Sequence, residues 1–437
     1  MAMWNKSAST WPAVTRLLAL VILGGCADQE KSTKDDALGF SDGQISLLMR
    51  HRFDPTPVVD PTNAVSGDPA AERLGQYLFF DTGLSGTGEH SCASCHKPDH
   101  GFADPDRLST TEVTVERHTP TVVNSGYNRW FYWDGRCDTL WCQAAGPIED
   151  PDEHGSNRLA VAHYVFGDAA LSEAYTSIFG PLPDLSDTDR FPLNAMPTDD
   201  ASDPLGEAWS EMDEDDAADA TEVFINVTKA IGAYEALLVQ GNAPFDQMLD
   251  AFEDDDATGG PALSDDAKAG AMLFVGDANC WACHSGPTFT NKEFHNVALP
   301  AVDGIDNESP GRHSGIDVLL NNPFNSWGEF SDDTSAADEK LGHLVQSPEQ
   351  MGSFKTPSLR NLQDTAPYMH GGHFETLTEA VQHYSDMDDR PLVGHREELL
   401  LPQLWTDEEI AQVVAFLESL QGEPIDPELL SQPDSPL

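Results

Sequence analysis

Apolar residues recur at helical spacing in two stretches that read alike. Arg73-Leu74-Gly75-Gln76-Tyr77-Leu78-Phe79 aligns with Lys268-Ala269-Gly270-Ala271-Met272-Leu273-Phe274. In both, a glycine stands three and four residues ahead of a Leu-Phe pair, so small and large residues share one helical face. Ser264, after Leu263, is placed to cap the second of these helices. Another helix is marked near the end, where Thr406 and Glu409 form a capping box. It continues in an apolar stripe of Ile410, Val413, Val414, Leu417 and Leu420. Residues 223–239 read as a helix connecting two halves. Strand patterns are scarce, while 34 glycines and 30 prolines punctuate long loops. The pattern predicts a mainly α fold with few strands, in which one unit is used twice.

The 437 residues leave room for two or three domains, and only 39% are hydrophobic. No internal run is long enough to span a bilayer. The one strongly apolar stretch is residues 17–25 (LLALVILGG), behind Lys6 and Arg16, which reads as a signal peptide over 1–25. It ends in Leu23-Gly24-Gly25-Cys26, a lipobox pattern that predicts lipidation of Cys26 and a place in the periplasm or cell envelope. Membrane contact is then only through that lipid anchor, with residues 26–45 as a polar tether. The formal charge of −52 excludes nucleic acid as a partner, since phosphate binding needs clustered Lys and Arg. Acid is densest in 198–218 and 253–256, which reads first as a solvated surface. The same field would also steer a basic electron donor.

Four of the seven cysteines lie in Cys92-Ala-Ser-Cys95-His96 and Cys280-Trp-Ala-Cys283-His284. This is the attachment pattern of c-type haem: two thiols add to the vinyl groups and the adjacent His sits under the iron. Thioredoxin-like dithiols would want a βαβ context that is missing, and half zinc sites a closer pairing. The expectation is therefore two c-type cytochrome domains, each with one covalent haem, over 46–230 and 231–425, with a flexible tail at 426–437. Cys137 and Cys142 remain. A disulfide suits an exported protein, but on regular α-helix their Cα atoms would stand roughly 8 Å apart, too far to bridge.

Further segments occur in order: Arg117-His118-Thr119-Pro120-Thr121-Val122-Val123-Asn124, Phe131-Tyr132-Trp133-Asp134-Gly135-Arg136 and Gln143-Ala144-Ala145-Gly146-Pro147. After the second haem motif come Ser285-Gly286-Pro287-Thr288-Phe289, Phe354-Lys355-Thr356-Pro357-Ser358-Leu359-Arg360-Asn361 and Thr365-Ala366-Pro367-Tyr368-Met369-His370-Gly371-Gly372. Together they resemble the bacterial di-haem cytochrome c peroxidase and MauG family. The resemblance implies that the haem on His96 binds hydrogen peroxide and that Trp133 carries electrons between the haems. Gln143 and Glu153 match the distal-pocket pair. It also implies a small electron-donor protein, a c-type cytochrome or cupredoxin, or else a partner protein whose Tyr or Trp is oxidised. The contrasting expectation is a plain electron carrier, with both irons six-coordinate.

Two departures from the family matter. The family's peroxidases carry a capping His a few residues before the Arg-x-Thr-Pro motif, and here Leu108-Ser109-Thr110-Thr111-Glu112-Val113 has none. His100 and His118 are the substitutes at hand, so an open first haem is expected. His118 also replaces an Asn that helps bind calcium between the domains, leaving only loop carbonyls for that ion. For the sixth ligand of the second haem Met369 is the first choice, because a Met ligand raises the potential. Tyr368 is its rival and His295 a further option.

Overall fold

The computed structural model describes residues 39–437 apart from 112, 199 and 201. The expected signal peptide, Cys26 and most of the tether lie outside the described residues. Among the described residues the fold is mainly helical, with two large hydrophobic cores and a small third cluster of Trp130, Leu319 and Leu341. Helices Pro69–Phe80, Leu140–Glu149, Arg158–Gly167, Ala169–Phe179 and Glu214–Glu235 build the first. Asp42–Leu48, Pro244–Glu253, Asp265–Val275, Leu377–Asp386 and Asp407–Glu418 build the second. Strand is confined to a two-residue antiparallel pair among the described residues, with Phe294 opposite Lys355 and His295 opposite Phe354. No described helix is long and apolar enough to cross a membrane.

The repeated Gly-x-x-Leu-Phe unit is a helix-crossing device in both cores. A Cβ on Gly75 would run into the carbonyl oxygen of Ala230, in helix Glu214–Glu235. A Cβ on Gly270 would run into the carbonyl oxygen of Gln412, in helix Asp407–Glu418. The segment expected as a connector is therefore the crossing partner of the first core, and it begins earlier, at Glu214, where Asp213 caps it. The caps at Ser264, and at Thr406 with Glu409, form as the sequence predicts. Gly270→Ala should destabilise the second core by about 1–3 kcal/mol, the usual cost of overpacking, because backbone cannot step aside as a side chain can. Thermal unfolding measures this, and an unchanged midpoint would mean the helices do not cross at Gly270.

The chain ends are exchanged between the cores. Phe40 packs its ring 5.1 Å from Phe252, and helix Asp42–Leu48, capped by Ser41 with Gln44, buries Leu48 in the second core. Residues 39–45, expected as tether, are folded there because their apolar positions meet that core. The last residues, expected as a flexible tail, return to the first core instead. Tyr234 Oη donates to Leu429 O at 2.6 Å, and Gln76 Nε2 donates to Glu428 O and Ser431 O at 2.6 and 2.8 Å. Ile425, Leu429 and Leu430 supply the apolar contact that holds them.

Cys137 and Cys142 form a disulfide with Cα atoms 5.8 Å apart. The regular-helix spacing does not apply, because the helix starts only at Leu140, after Thr139 caps it.

Candidate active site

Both Cys-x-x-Cys-His segments wind into one tight turn, Cys92–Cys95 as α-helix and Cys280–Ala282 as 3-10 helix. Their four thiols are free. Each histidine's backbone N–H donates to the carbonyl of the first cysteine at 2.9 Å, which closes the turn. His96 Nδ1 lies 3.2 Å from Phe102 O, and His284 Nδ1 lies 2.9 Å from Phe289 O. Phe102 and Phe289 both adopt left-handed backbone, at φ 55° and 53°, and both are fully buried. With Nδ1–H donating to a carbonyl, Nε2 keeps its lone pair for a metal. Burial holds both imidazoles below their ordinary pKa, His284 down to about 4, so they are neutral ligands. One cavity of about 820 Å³ runs past both motifs. Free paired thiols, an oriented neutral imidazole and that space are the donor set a covalent haem needs, and the residues fit it twice.

Beside the first motif the cavity is lined by Tyr132, Trp133, Arg136, Gln143, Pro147 and Glu153. Pro147 has no N–H, so Gln143 O lacks its helical partner; Tyr132 Oη donates to it instead, at 2.9 Å. Arg136 lies flat over the Tyr132 ring, 3.5 Å from its centroid, and pairs with Asp134 at 3.1 Å. Burial, and then Asp150, push the Glu153 carboxyl up to about 7, against the pull of Arg136. Trp133 joins the halves: Nε1 donates to His118 O at 2.8 Å, and its carbonyl accepts from Lys355 N at 2.8 Å. Its ring stands 6.3 Å from that of His370, which stacks on Phe354 at 3.7 Å.

Of the two substitute histidines, His118 lines the cavity and His100 does not. His100 is half-buried beside Asp99, and His118 has Nδ1 on Arg107 O at 3.2 Å. Sequence reasoning missed His154, next to Glu153. Its buried Nδ1 has no hydrogen-bond partner among the described residues, and burial, His90 and His96 push its pKa down to about 4.

Around the second motif, His51 is a contributor the sequence did not reveal. Its ring stacks on Phe289 at 4.4 Å and Nε2 reaches His284 O at 3.2 Å. Arg360 clamps this side, donating to both Asp246 carboxylate oxygens at 2.9 and 3.0 Å, to Pro287 O and to His51 O. Of the expected sixth ligands, His295 has both nitrogens engaged, by Glu397 at 2.8 Å and Asn291 at 3.2 Å. Tyr368 donates its hydroxyl to Leu362 O at 3.0 Å. Met369 lines the cavity from a left-handed turn, φ 73°, whose next residue, His370, takes His118 N–H on its carbonyl. Tyr384 also lines the cavity, close enough to Cys280 and Cys283 that their charges add to the burial raising its pKa. The signal was a phenol on an apolar helical face, with Leu377 and Val381 one turn apart before it.

The sequence model of the di-haem cytochrome c peroxidase family matches residues 69–254. Cytochrome-c peroxidase IdrP2 of Denitromonas iodatirespirans is 32% identical over 375 residues, covering 85% of this chain and 87% of that protein. Methylamine utilization protein MauG of Methylorubrum extorquens is 29% identical over 415 residues, covering 93% and 94%. Among solved structures, a MauG-like protein associated with microbial copper homeostasis has a TM-score of 0.60 at 24% identity, covering 87% of this chain and 97% of that one. The diheme peroxidase BthA of Burkholderia thailandensis has a TM-score of 0.59 at 22% identity, covering 86% and 92%. These two likenesses show the fold. With a relative above 30% identity along most of its length and two haem-attachment turns in one shared cavity, the chain belongs to the di-haem cytochrome c peroxidase and MauG family, which implies two c-type haems.

Proposed function

We propose that the chain reduces hydrogen peroxide at an open haem held by Cys92, Cys95 and His96. Electrons enter at a second haem held by Cys280, Cys283 and His284 and pass Trp133. The observation that carries this reading is Glu153, a cavity-lining carboxyl raised to about 7 beside the first motif. When bound, the haems supply the iron that takes up peroxide and the electrons that complete its reduction to two waters. Glu153 Oε takes the proton from one peroxide oxygen and returns it to the other, turning that oxygen into water, a good leaving group. Gln143 offers an amide N–H to fix the peroxide's orientation. Pro147 and the Tyr132 ring keep bulk water from the reacting oxygens. Trp133, fixed at its indole nitrogen and its carbonyl, keeps a π-system between the two halves. Export through residues 1–25 and anchoring at Cys26 belong to the same reading, since haem is attached to c-type cytochromes outside the cytoplasm. Exposed Leu392, Leu399, Leu401 and Leu404, with Leu404 75% exposed, offer an apolar landing place for a small donor cytochrome or cupredoxin.

Rapid mixing of the oxidised, as-isolated protein with peroxide tests the open site. An immediate change in a high-spin ferric signal is the expected result. No change until one haem is reduced would mean a closed site, for which His154 Nδ1 is the available nitrogen.

Tyr384 favours a second reading, in which peroxide oxidises a Tyr or Trp of a partner protein. In that reading we infer that Tyr384, and not Met369, would be the residue that helps His284 hold the second haem. An anionic phenolate stabilises ferric iron and lowers the potential, so the second haem would share oxidising equivalents more readily than it accepts electrons. Tyr384→Phe should convert the second haem from low to high spin and raise its potential, read by electron paramagnetic resonance and potentiometry. An unchanged low-spin signal would return the assignment to Met369.

A further inference from the structure

Glu235 is the last residue of helix Glu214–Glu235 and is only 3% exposed. Its Oε2 has no hydrogen-bond partner among the described residues. The side chain nevertheless borders the haem cavity, beside Cys92, whose thiol feels its charge. A buried carboxylate without donor or counter-charge is far costlier than the neutral acid, so this group keeps its proton well above the ordinary range. Burial alone pushes it up to about 8.

The neighbourhood supplies no competing charge. Cys92 and Tyr234 are the titratable groups that sense Glu235. Helix Pro69–Phe80 meets this stretch with Gly75 and Phe79, and helix Leu140–Glu149 with Leu140 and Trp141. Their ionisable residues are engaged elsewhere: Glu72 near Asp68, Arg73 donating to Leu437 O, Tyr77 near Asp81 and Asp168, Glu149 with Arg158. Lys229, further back on the same helix, pairs with Asp332. Glu153 also lines the cavity and acts on Cys92, more weakly than Glu235 does.

We propose that Glu235 is the redox-linked proton site of the first haem, taking up a proton when the haem attached at Cys92 gains an electron and releasing it when that electron leaves. The balance is one electron and one proton. Ferric haem with the Glu235 carboxylate becomes ferrous haem with the Glu235 carboxylic acid, and the O–H bond is the only bond made. The electron comes from the second haem in turnover, or from an electrode through mediators in a titration; the proton comes from solvent water. Each added electron removes a positive charge near the carboxyl and so favours its protonated form. Peroxide reduction consumes protons as well as electrons, and a buried acid bordering the haem cavity holds a proton in step with each electron the haem gains. The inference rests on haem attachment at Cys92, not on which substrate is oxidised or reduced.

Spectroelectrochemical titration of the full holoprotein across the neutral to alkaline range tests it. In the wild type the reduction equilibrium constant of the first haem should fall by up to tenfold per pH unit, a slope of about 59 mV. Glu235→Gln should remove that slope while haem content stays at two per chain, whereas Glu153→Gln should keep it. A Glu235→Gln protein with the wild-type slope overturns the proposal. A second readout needs no variant. The redox difference infrared spectrum of the wild type near the Glu235 pKa should gain a protonated carboxylic C=O band on reduction of the first haem, and its absence also overturns the proposal. Peroxide turnover enters neither readout, so a peroxide-inert protein with the expected slope would sink peroxide reduction and leave this inference standing.

Discussion

Glu153→Gln should slow peroxide consumption by about 10²–10⁴-fold, the usual contribution of a positioned acid–base group, while both haems remain attached. The amide keeps the size and part of the polarity of the side chain but cannot take and return a proton. The pH profile carries a separate signature. The carboxylate is the form that accepts the first proton, and Glu153 titrates at about 7. In the wild type the second-order rate constant with peroxide should therefore rise with pH through that value and then level off. In the variant the step should vanish. Gln143 and Arg136 stay in place, and Arg136 still pairs with Asp134, so peroxide binding should change less than turnover. A variant with near-normal rate and an unchanged profile would remove Glu153 from the mechanism.

The joint substitution Cys280→Ser and Cys283→Ser should halve covalent haem, from two per chain to one, as read by the pyridine haemochrome assay. It should also destabilise the second core more than any single helix substitution. Phe274, Val413 and Leu417 are core residues, and with Leu377 and Val381 they enclose the cavity's second half. A haem there completes the packing; without it those side chains face a void or water. At about 24 cal/mol per Å³ of residual cavity, a space of hundreds of Å³ corresponds to several kcal/mol, comparable with the ~5–15 kcal/mol that holds a domain folded. Hydrogen exchange should accelerate in helices Asp265–Val275 and Asp407–Glu418 while helix Glu214–Glu235 stays protected. Halved haem with an unchanged melting temperature would mean the second haem lies outside the core.

What could be read in advance follows the range of the interactions involved. The haem-attachment turns, the caps at Ser264 and Thr406, and the paired glycines at 75 and 270 are set within a few residues of chain. A cap needs one side chain to meet an N–H two or three residues on, and a helix crossing needs a residue without Cβ; both are visible as residue type and spacing. The Cys137–Cys142 bond was undecidable for a related reason. Whether the span is regular helix turns on where Thr139 starts it, a boundary that spacing alone does not set.

The sequence by itself determined that this chain holds two c-type haem motifs in a helical fold repeated twice, and it pointed to Trp133, Gln143 and Glu153, which line the cavity. Tertiary structure decided what surrounds them. His51 supports His284 across 233 residues of chain, Tyr384 comes near Cys280 and Cys283 at the cavity wall, and Glu235 ends its helix near Cys92. It also exchanged the chain ends between the cores, turning an expected tail into a clamp on Tyr234. The physical reason is that burial, and with it every raised or lowered pKa at this site, is a sum over neighbours brought together by packing. No window of sequence contains those neighbours.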